Sequence, residues 1–383
     1  MSNNTERRPI PKDMPAHELP ATNPSGCLEP IAFFNDAMPT GVTVSHKGRI
    51  FVNFPKWGDD VKFSVAEIRN GDMVAYPDEP INQTNQEDPA STLVSVQSVV
   101  VDPADRLWIL DTGSPLFKPT EYGGPKLLCV DLNKNKVIKK IVFPQAVALP
   151  TTYLNDIRFD LRRGTEGMAF ITDSAQNGPS GIIVVDLASG ESWRRLSDHV
   201  TTKPEDIHAF LPIVEGMPFI DYQQDGSLKQ GASMGADGIA INSDGSRLYY
   251  CPLGSRNLFS VATDALANRD TSEQEVATTI SNHGDKGGAA DGLESDSAGN
   301  IYSTNYEHNA ILRLKPYDGK WETLVHDPRL LWPDTLSLAT DGYLYVTANQ
   351  LHRQGRYNKG KDLRVKPYTL FRIRVDAQPV LLR

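Results

Sequence analysis

A stretch of 15 residues recurs along the chain, and this repeat constrains the fold more than any other feature of the sequence. Each copy consists of an apolar segment, a short turn rich in Asp or Gly, and a second apolar or alternating segment. The turn residue follows the second residue of the copy by seven positions, as in Gly41 to Gly48. Five copies have this length, and they begin at Thr40, Gln97, Asp237, Asp291 and Asp334. A sixth copy begins at Asn155 and has four extra residues before Gly167.

Two apolar segments joined by a short Asp/Gly turn are typical of a β-hairpin. The intervals between copies leave room for two further strands, such as GIIVVDL and ILRLKPY, and helical periodicity is scarce. A four-stranded antiparallel unit repeated six times predicts an all-β fold, the six-bladed β-propeller. Two separate β domains would leave the six matched copies unexplained. We expect an extended N-terminal arm over residues 1–28 and one propeller domain over 29–383, with a long insertion at about 196–235.

Charge and composition limit the partners that this chain can have. The net charge of −9 argues against nucleic acid and anionic membrane surfaces as general partners. No apolar run approaches the length of a membrane span, and the N-terminal residues contain no apolar signal. The sequence therefore favours a cytoplasmic chain, or a secreted one if a signal was removed. Three cysteines cannot all pair, so we expect neither a disulfide framework nor a zinc framework.

The segment LWILDTGSP, residues 107–115, resembles the active-site turn of an aspartic protease. That chemistry needs a second Asp-Thr/Ser-Gly turn, because two carboxylates share one proton, and the chain has none. The nearest approach, around Asp173, lacks the glycine. Asp111 is better explained as one of the equivalent ends of the second strand in each hairpin. We predict an Asx-type turn at Asp111.

Hairpin geometry predicts a polar ring at one mouth of the central channel, because the second strand returns to the side on which the first began. The first-position set is Thr40, Gln97, Asn155, Asp237, Asp291 and Asp334, and the return set includes Asn53, Asp111, Asp173, Asn305 and Asn349. Crowded carboxylates need a cation or hold protons at a raised pKa, and oxygen ligands suit Ca²⁺ or Mg²⁺. Ordinary turn chemistry without any metal is the alternative explanation.

We assign roles within this ring. Small-molecule contacts are assigned to Gln97, Asp111, Asp173, Asn305 and Asn349. One divalent cation, with Ca²⁺ as first choice, is assigned to Asn155, Asp237, Asp291 and Asp334. Proton transfer is assigned to Asp237, Asp291 and His308. No organic cofactor is expected.

Three further features bear on the predicted mouth. His283, His308 and His352 are expected in loops on that face, where a neutral imidazole could act as a base. Residues 196–235 form a turn-rich insertion that we expect to overhang the mouth as a mobile lid, a decorated outer edge being the alternative. Three tryptophans could stack on a flat ligand, although core packing is the default for each: Trp57, Trp193 and Trp332.

Several blocks together resemble the Yellow/major royal jelly protein family. They are VVVDPADRLWILDTG, DGIAINSDGSRLYYCPLGSRNLFSV, GLESDSAGNIYSTNYEHNAIL and TGVTVSHKGRIFVNFPKW, and the resemblance runs from about residue 30 to the C-terminus. It implies a six-bladed propeller. The family includes dopachrome-converting enzymes, salivary amine binders and royal jelly proteins.

The related gluconolactonase-type propellers are divalent-metal lactonases. In them a Glu of the first blade, an Asn at a strand start and an Asp of an Asp-Gly turn hold the metal. By position Asn155 and Asp237 match the last two, whereas Thr40 stands where the Glu would be. Asp291 or Asp334 could supply the missing charge.

Three functions remain open at this stage. The first is an enzyme acting on a small oxygenated ring compound by lactone hydrolysis, tautomerisation or cyclisation. The second is a non-catalytic binder of a small aromatic or amine ligand, and the third is a scaffold for protein interactions.

Overall fold

The computed structural model describes residues 24–383 apart from 224 and 318. In this part of the chain the strands form six four-stranded antiparallel sheets, together with two two-stranded hairpins. The six sheets are the blades of a β-propeller, which confirms the fold predicted from the repeat. In every blade the first strand of the repeated hairpin is an edge strand of its sheet, and these inner strands contact one another around the channel.

The strand bounds follow the repeat closely. Blade one is Val42–Val44, Ile50–Asn53, Val65–Arg69 and Asp72–Ala75. Blade two is Val96–Val101, Arg106–Asp111, Lys126–Asp131 and Lys136–Val142. Blade three is Leu154–Asp160, Met168–Asp173, Gly181–Asp186 and Ser192–Arg195. Blade four is Ala236–Ile241, Arg247–Pro252, Asn257–Ala262 and Ser281–Asp285. Blade five is Leu293–Ser295, Ile301–Asn305, Ala310–Leu314 and Trp321–His326. Blade six is Pro333–Leu338, Tyr343–Ala348, Tyr368–Arg374 and Glu29–Phe34.

The two ends of the described chain close the ring. The strand Glu29–Phe34 pairs with Tyr368–Arg374 and becomes the outermost strand of blade six. Ser25 forms an isolated bridge with His326 at the outer edge of blade five. Most of the predicted arm, residues 1–23, lies outside the described residues.

The remaining elements are short. The α-helices are Glu79–Asn82, Thr263–Ala267 and Glu273–Thr278, and the 3₁₀ helices are Pro115–Phe117, Leu351–Arg353 and Gly355–Tyr357. The predicted insertion contains two small hairpins, Ile213–Val214 with Met217–Pro218 and Ile220–Tyr222 with Leu228–Gln230. The longest helix starts at a capping box, in which Ser272 and Glu275 satisfy each other's backbone N–H groups.

Apolar side chains of adjacent blades pack against each other and fill the space between the sheets. Between blades two and three, for example, Trp108, Ile157 and Ile183 belong to one buried cluster. The six hairpin turns all place their turn residue at positive φ, a conformation that favours glycine: the residues are Gly48, Asp105, Gly167, Gly245, Gly299 and Gly342. The constant position of this residue in the repeat therefore has a backbone cause.

Four inner strands begin with an irregularity that decides what faces the channel. The pairing register shifts between Val96 and Ser98, and equivalent shifts occur in three other blades, between Leu154 and Ile157, Ala236 and Gly238, and Pro333 and Leu336. The first-position residue lies inside each shift, without a partner in the ladder. A β-bulge of this kind redirects a side chain away from the regular alternation.

None of the described helices has the length and apolar composition needed to cross a bilayer. The cytoplasmic location stays a prediction.

Candidate functional site

One cavity at a mouth of the channel collects most of the first-position side chains. It is lined by Gln97, Asn155, Asp237, Asp291 and Asp334, and its volume is about 480 Å³ including the opening to solvent. The sixth member, Thr40, is fully buried beside it and donates a 3.1 Å hydrogen bond to the carbonyl oxygen of Gln97. Five of the six blades thus contribute one polar side chain each to the floor of this mouth cavity.

Each of the three floor carboxylates accepts a hydrogen bond from a neutral N–H donor. Asn155 Nδ2 donates to Asp237 Oδ1. The side chain of Asp291 accepts a 2.7 Å bond from an indole, Trp332 Nε1, and that of Asp334 accepts a 2.6 Å bond from Asn349 Nδ2. Among the described residues no Lys, Arg or His forms an ion pair with any of the three carboxylates.

The pKa values of the three floor carboxyl groups are therefore raised. Burial raises the pKa of Asp237 well above its usual range, and the neighbouring charges of Asp291 and Asp334 raise it further. Burial also raises the pKa of Asp291 to about 6, against the hydrogen bond from Trp332, which lowers it. The pKa of Asp334 is raised by burial and then by Asp291. Asp237 and Asp291 line the same cavity, and the charge of Asp291 raises the pKa of Asp237, so we treat the two groups as a carboxyl pair.

Aromatic rings form the wall of the mouth cavity. Trp57 stacks on Phe117 at 5.2 Å between ring centroids, and Phe117 stacks on Tyr153 at 4.9 Å. The hydroxyl of Tyr153 accepts from Trp57 Nε1 at 2.8 Å and donates to Gln97 Oε1 at 2.9 Å. The wall is therefore joined to the polar floor by a continuous hydrogen-bonded path. Leu116 and Phe117 both have positive φ, an uncommon conformation for non-glycine residues that accompanies functional sites.

Two segments cover the mouth cavity from above. The insertion contributes Met234, and the loop after the second strand of blade six contributes Leu351, Gln354, Arg356 and Tyr357. The Arg356 guanidinium lies over the rings of Phe117 and Tyr357, at 5.8 Å and 5.0 Å from their centroids. The same guanidinium forms an ion pair with Asp221 of the insertion. The insertion therefore reaches the mouth, and its mobility stays a prediction.

Of the five predicted ligand-binding residues, Gln97 alone lines this cavity. Asp111 forms an ion pair of 2.7 Å with Lys126, both side chains being fully buried, and it accepts from the backbone N–H of Gly113, as expected of an Asx turn. Asp173 forms a 2.7 Å ion pair with Arg194. Both carboxylates fasten the ends of strands in their own blades. The β-bulge explains why these return residues stay away from the cavity. It redirects the first-position side chain, whereas the return residue keeps its place in the ladder, as in the pair of Val96 with Asp111.

Asn305 and His308 line another cavity, on the outer side of blade five. Asn305 Nδ2 donates to the carbonyl oxygen of Gly287 at 3.1 Å, and its Oδ1 accepts from the backbone N–H of His308 at 3.2 Å. The catalytic role proposed for His308 therefore has no support from the mouth geometry. Asn349, in contrast, contacts the floor through Asp334.

The remaining histidines and tryptophans are distributed differently from the prediction. His283 lies in the outer strand of blade four and not in a mouth loop. His352 is buried in a 3₁₀ helix and stacks on Trp332 with 5.9 Å between centroids. Trp332 is buried under the floor, whereas the indole of Trp193 donates to the carbonyl oxygen of Leu266 in blade four.

The side chains of the mouth do not fit a resident divalent cation. Among residues 24–383 apart from 224 and 318, no three His, Cys, Asp or Glu side chains are grouped so that they could hold a metal ion. Asn155 turns its amide nitrogen, a donor, toward Asp237, and Thr40 uses its hydroxyl on the Gln97 carbonyl. The metal site on Asn155, Asp237, Asp291 and Asp334 stays a prediction, and no chemical step is derived through it.

Sequence reasoning missed several lining residues. Phe117 lies between the second and third strands of blade two, and Tyr153 precedes the inner strand of blade three. Neither belongs to a distinctive motif, and only the packing of loops brings them to the mouth. The covering loop did carry a signal, because residues 351–367, LHRQGRYNKGKDLRVKP, are strongly basic in an acidic chain.

Comparison with known proteins agrees with the repeat. The family described as major royal jelly protein matches residues 94–378. Protein yellow of Drosophila madeirensis is 28% identical over 253 residues, which cover 62% of this chain and 41% of that protein. Major royal jelly protein 7 of Apis mellifera is 30% identical over 212 residues, which cover 54% of this chain and 43% of that protein. The match thus spans about two fifths of the length of these relatives.

Solved structures share the fold at low identity. The luciferin-regenerating enzyme has a TM-score of 0.57 at 11% identity, over 94% of this chain and 100% of that one. Regucalcin of Agrobacterium tumefaciens, described as a calcium-binding protein, has a TM-score of 0.55 at 12% identity, over 92% and 98%. A gluconolactonase of Xanthomonas campestris has a TM-score of 0.51 at 12% identity, over 92% and 97%. Sequence identities of 11% and 12% show a common fold and nothing more specific. The match to the major royal jelly protein family over residues 94–378 is the stronger finding, because it covers most of the chain. This chain belongs to the major royal jelly protein family.

Proposed function

We propose that the mouth cavity binds a small oxygenated ring compound and that the carboxyl pair of Asp237 and Asp291 moves a proton on it. One observation carries the proposal: two adjacent, buried carboxyl groups whose pKa values are both raised. Such a pair can hold one proton near neutral pH, so that one group serves as an acid and the other as a base.

The pair has the groups that a tautomerisation needs. The protonated carboxyl donates its proton to a carbonyl oxygen of the substrate, while the partner carboxylate removes a proton from the neighbouring carbon. The product is the enol form, and a proton passing between the two carboxyl groups restores the starting state. Atoms and charges balance without an oxidant. Lactone hydrolysis would use the same pair: the carboxylate takes a proton from water as it attacks the carbonyl carbon, and the protonated carboxyl gives its proton to the ring oxygen as the acyl C–O bond breaks. The products are the open hydroxy acid and a pair that again holds one proton.

The cavity wall supports a planar substrate. Phe117 and Tyr153 present aromatic surface beside the floor, and offset stacking on such rings favours flat ligands. Gln97 and Asn155 offer amide groups to ring oxygens at the floor. Arg356 also lines the cavity, with its guanidinium over the Phe117 ring.

Activity assays test the proposal directly. Purified protein would be mixed with dopachrome, whose decolourisation reports tautomerisation, and with gluconolactone, whose hydrolysis releases acid. We expect one of the two reactions in wild type and a loss of about 10²-fold or more in Asp237→Asn and Asp291→Asn. The exposed Asp225→Asn serves as control. Equal activity in all variants, or none in wild type, would overturn the catalytic proposal.

A second candidate function is the binding of a cationic aromatic amine without turnover. It is favoured by the absence of a cationic partner for the three floor carboxylates in the described part of the chain, because a ligand ammonium would supply the missing charge. Calorimetry with tryptamine separates the two candidates. Saturable binding that Asp237→Asn weakens, with neither dopachrome nor gluconolactone consumed, would establish the binder.

A further inference from the structure

A second cavity lies between the insertion and the covering loop of blade six. It has a volume of about 1150 Å³ including its opening, and we call it the side cavity. Phe219 and Tyr222 of the insertion line it on one side, and His352, Lys359 and Lys361 of the loop line it on the other. Tyr357 lines both this cavity and the mouth cavity, so its ring forms a shared wall.

The charges around the side cavity leave an excess of positive charge. Glu215 is held by the guanidinium of Arg353, with contacts of 2.7 and 2.6 Å, and by His352 Nε2 at 2.6 Å. Its negative charge is therefore already compensated. Within residues 24–383, leaving aside 224 and 318, neither Lys359 nor Lys361 forms an ion pair. Both lysines are exposed, so their charges are available to a ligand.

The apolar side of the cavity is aromatic. The rings of Phe219 and Tyr357 lie 4.4 Å apart between centroids. Lys359 Nζ lies 5.6 Å from the centroid of the Tyr222 ring, a cation–π distance. Met217, whose side chain is 68% exposed, adds an adaptable thioether at the rim. A ligand with a flat apolar body could thus bind beside the two lysines.

One buried polar atom lacks a partner at this site. His352 is 7% exposed, and its Nδ1 has no hydrogen-bond partner in the part of the chain that the structure describes. An unsatisfied buried polar atom carries a free-energy cost that a ligand or a water molecule can remove. Because Nε2 is held by Glu215, Nδ1 is the imidazole atom that remains available to a ligand or a water molecule.

We propose that the side cavity binds a small aromatic carboxylate. The ligand ring packs against Phe219 and Tyr222, and its carboxylate binds Lys359 and Lys361. The site is separate from the carboxyl floor of the mouth, and the inference does not depend on the proposed proton transfer. The two cavities select ligands of opposite charge: the mouth selects an amine or a neutral ring, and the side cavity selects an acid.

Calorimetric titration of the full chain with indole-3-acetate tests the proposal, with tryptamine as the matched cationic probe. We expect saturable binding of indole-3-acetate and an affinity loss of about tenfold in Lys359→Gln/Lys361→Gln, from two lost charge-assisted contacts. Tyr222→Leu should weaken binding as well. The control Lys62→Gln/Lys136→Gln removes two exposed charges elsewhere and should leave binding unchanged.

Three results would overturn the proposal. They are no saturable binding of indole-3-acetate to wild type, equal weakening in both double variants, and loss of binding in Asp237→Asn but not in Lys359→Gln/Lys361→Gln. The last result would place the acid in the mouth cavity. A thermal melt of each variant, matched to wild type, ensures that the comparison is made between folded proteins.

Discussion

The indole of Trp332 donates a 2.7 Å hydrogen bond to Oδ2 of Asp291, a residue 41 positions earlier in the chain. The orientation of the indole ring is fixed as well, because Trp332 stacks on Tyr306 at 4.1 Å between ring centroids. The ring stack of blades five and six thus sets the orientation and the protonation of one member of the carboxyl pair.

Replacing Trp332 with Phe should raise the pKa of Asp291 above its present value of about 6. The indole N–H stabilises the carboxylate form, and its loss removes the largest contribution that opposes burial. Carbon NMR of the labelled carboxyl groups would follow the titration. Trp193→Phe removes an indole that donates to a backbone carbonyl, and it should leave Asp291 unchanged. A lowered pKa in W332F would contradict the assignment.

The free energy of unfolding should fall as pH rises from about 4 to about 6. Asp291 has a folded pKa of about 6 against an ordinary value of 3.8, so in this window the folded state binds more protons than the unfolded state. The contribution is fully present below pH 4 and is lost through pH 6, at about 2–3 kcal/mol in total. Urea unfolding at several pH values would measure it.

Asp291→Asn is the matched variant, because an amide does not titrate. Its stability should depend less steeply on pH between 4 and 6 than that of wild type, while Asp225→Asn keeps the wild-type slope. An identical slope in all three proteins would show that Asp291 ionises normally.

Gly292→Ala should destabilise the protein and damage the mouth. A Cβ at position 292 would lie 2.3 Å from the carbonyl oxygen of Asp334. The neighbouring inner strands can approach this closely because residue 292 is a glycine and has no side chain. We expect a cost of about 1–3 kcal/mol from the forced backbone shift. Gly48→Ala is the control, because Gly48 lies in a hairpin turn at φ +79° with no atom near the position of a Cβ. That substitution should cost only the strain of the left-handed backbone, about 1 kcal/mol. The catalytic or ligand-binding activity of the mouth that the assays above detect should be lost in G292A and kept in G48A.

Asp111→Asn should cost about 3–5 kcal/mol in the free energy of unfolding. The change leaves the Lys126 ammonium buried without an anionic partner, among neutral oxygen acceptors such as the carbonyl oxygens of Gly123 and Gly124. The exposed pair of Glu191 with Arg269 has the same kind of contact, at 2.6 Å, and Glu191→Gln should cost less than about 1 kcal/mol. Guanidinium denaturation compares the two. A similar small effect in both would mean that water reaches Lys126.

Calcium should leave the melting temperature of the wild-type protein unchanged after treatment with a chelator. The reason is the arrangement at the mouth, where Asn155 presents an amide nitrogen to Asp237 and burial favours the protonated form of that carboxyl group. Any ion that bound the folded state would raise the melting temperature by mass action. A rise with Ca²⁺ or Mg²⁺ that disappears in Asp237→Ala would establish the metal site predicted from the sequence.

Much of the fold could be predicted from the sequence because its determinants are local. The hairpin turns require left-handed backbone at one constant position, and the apolar segments on either side alternate as strands do. The convergence of Asp237, Asp291 and Asp334 at one mouth also followed from the repeat, since equivalent residues of a symmetric ring meet at its axis.

The sequence by itself determined the number of blades, the hairpin turns and the ring of first-position side chains. Only the tertiary structure decided which strand ends reach the ligand space. A bulge at the start of the inner strand turns Gln97 into the mouth and leaves Asp111 in the ladder against Lys126. Loops far apart in the chain then bring Phe117 and Arg356 over the carboxyl pair. These outcomes depend on packing between distant segments, which no local pattern of residues encodes.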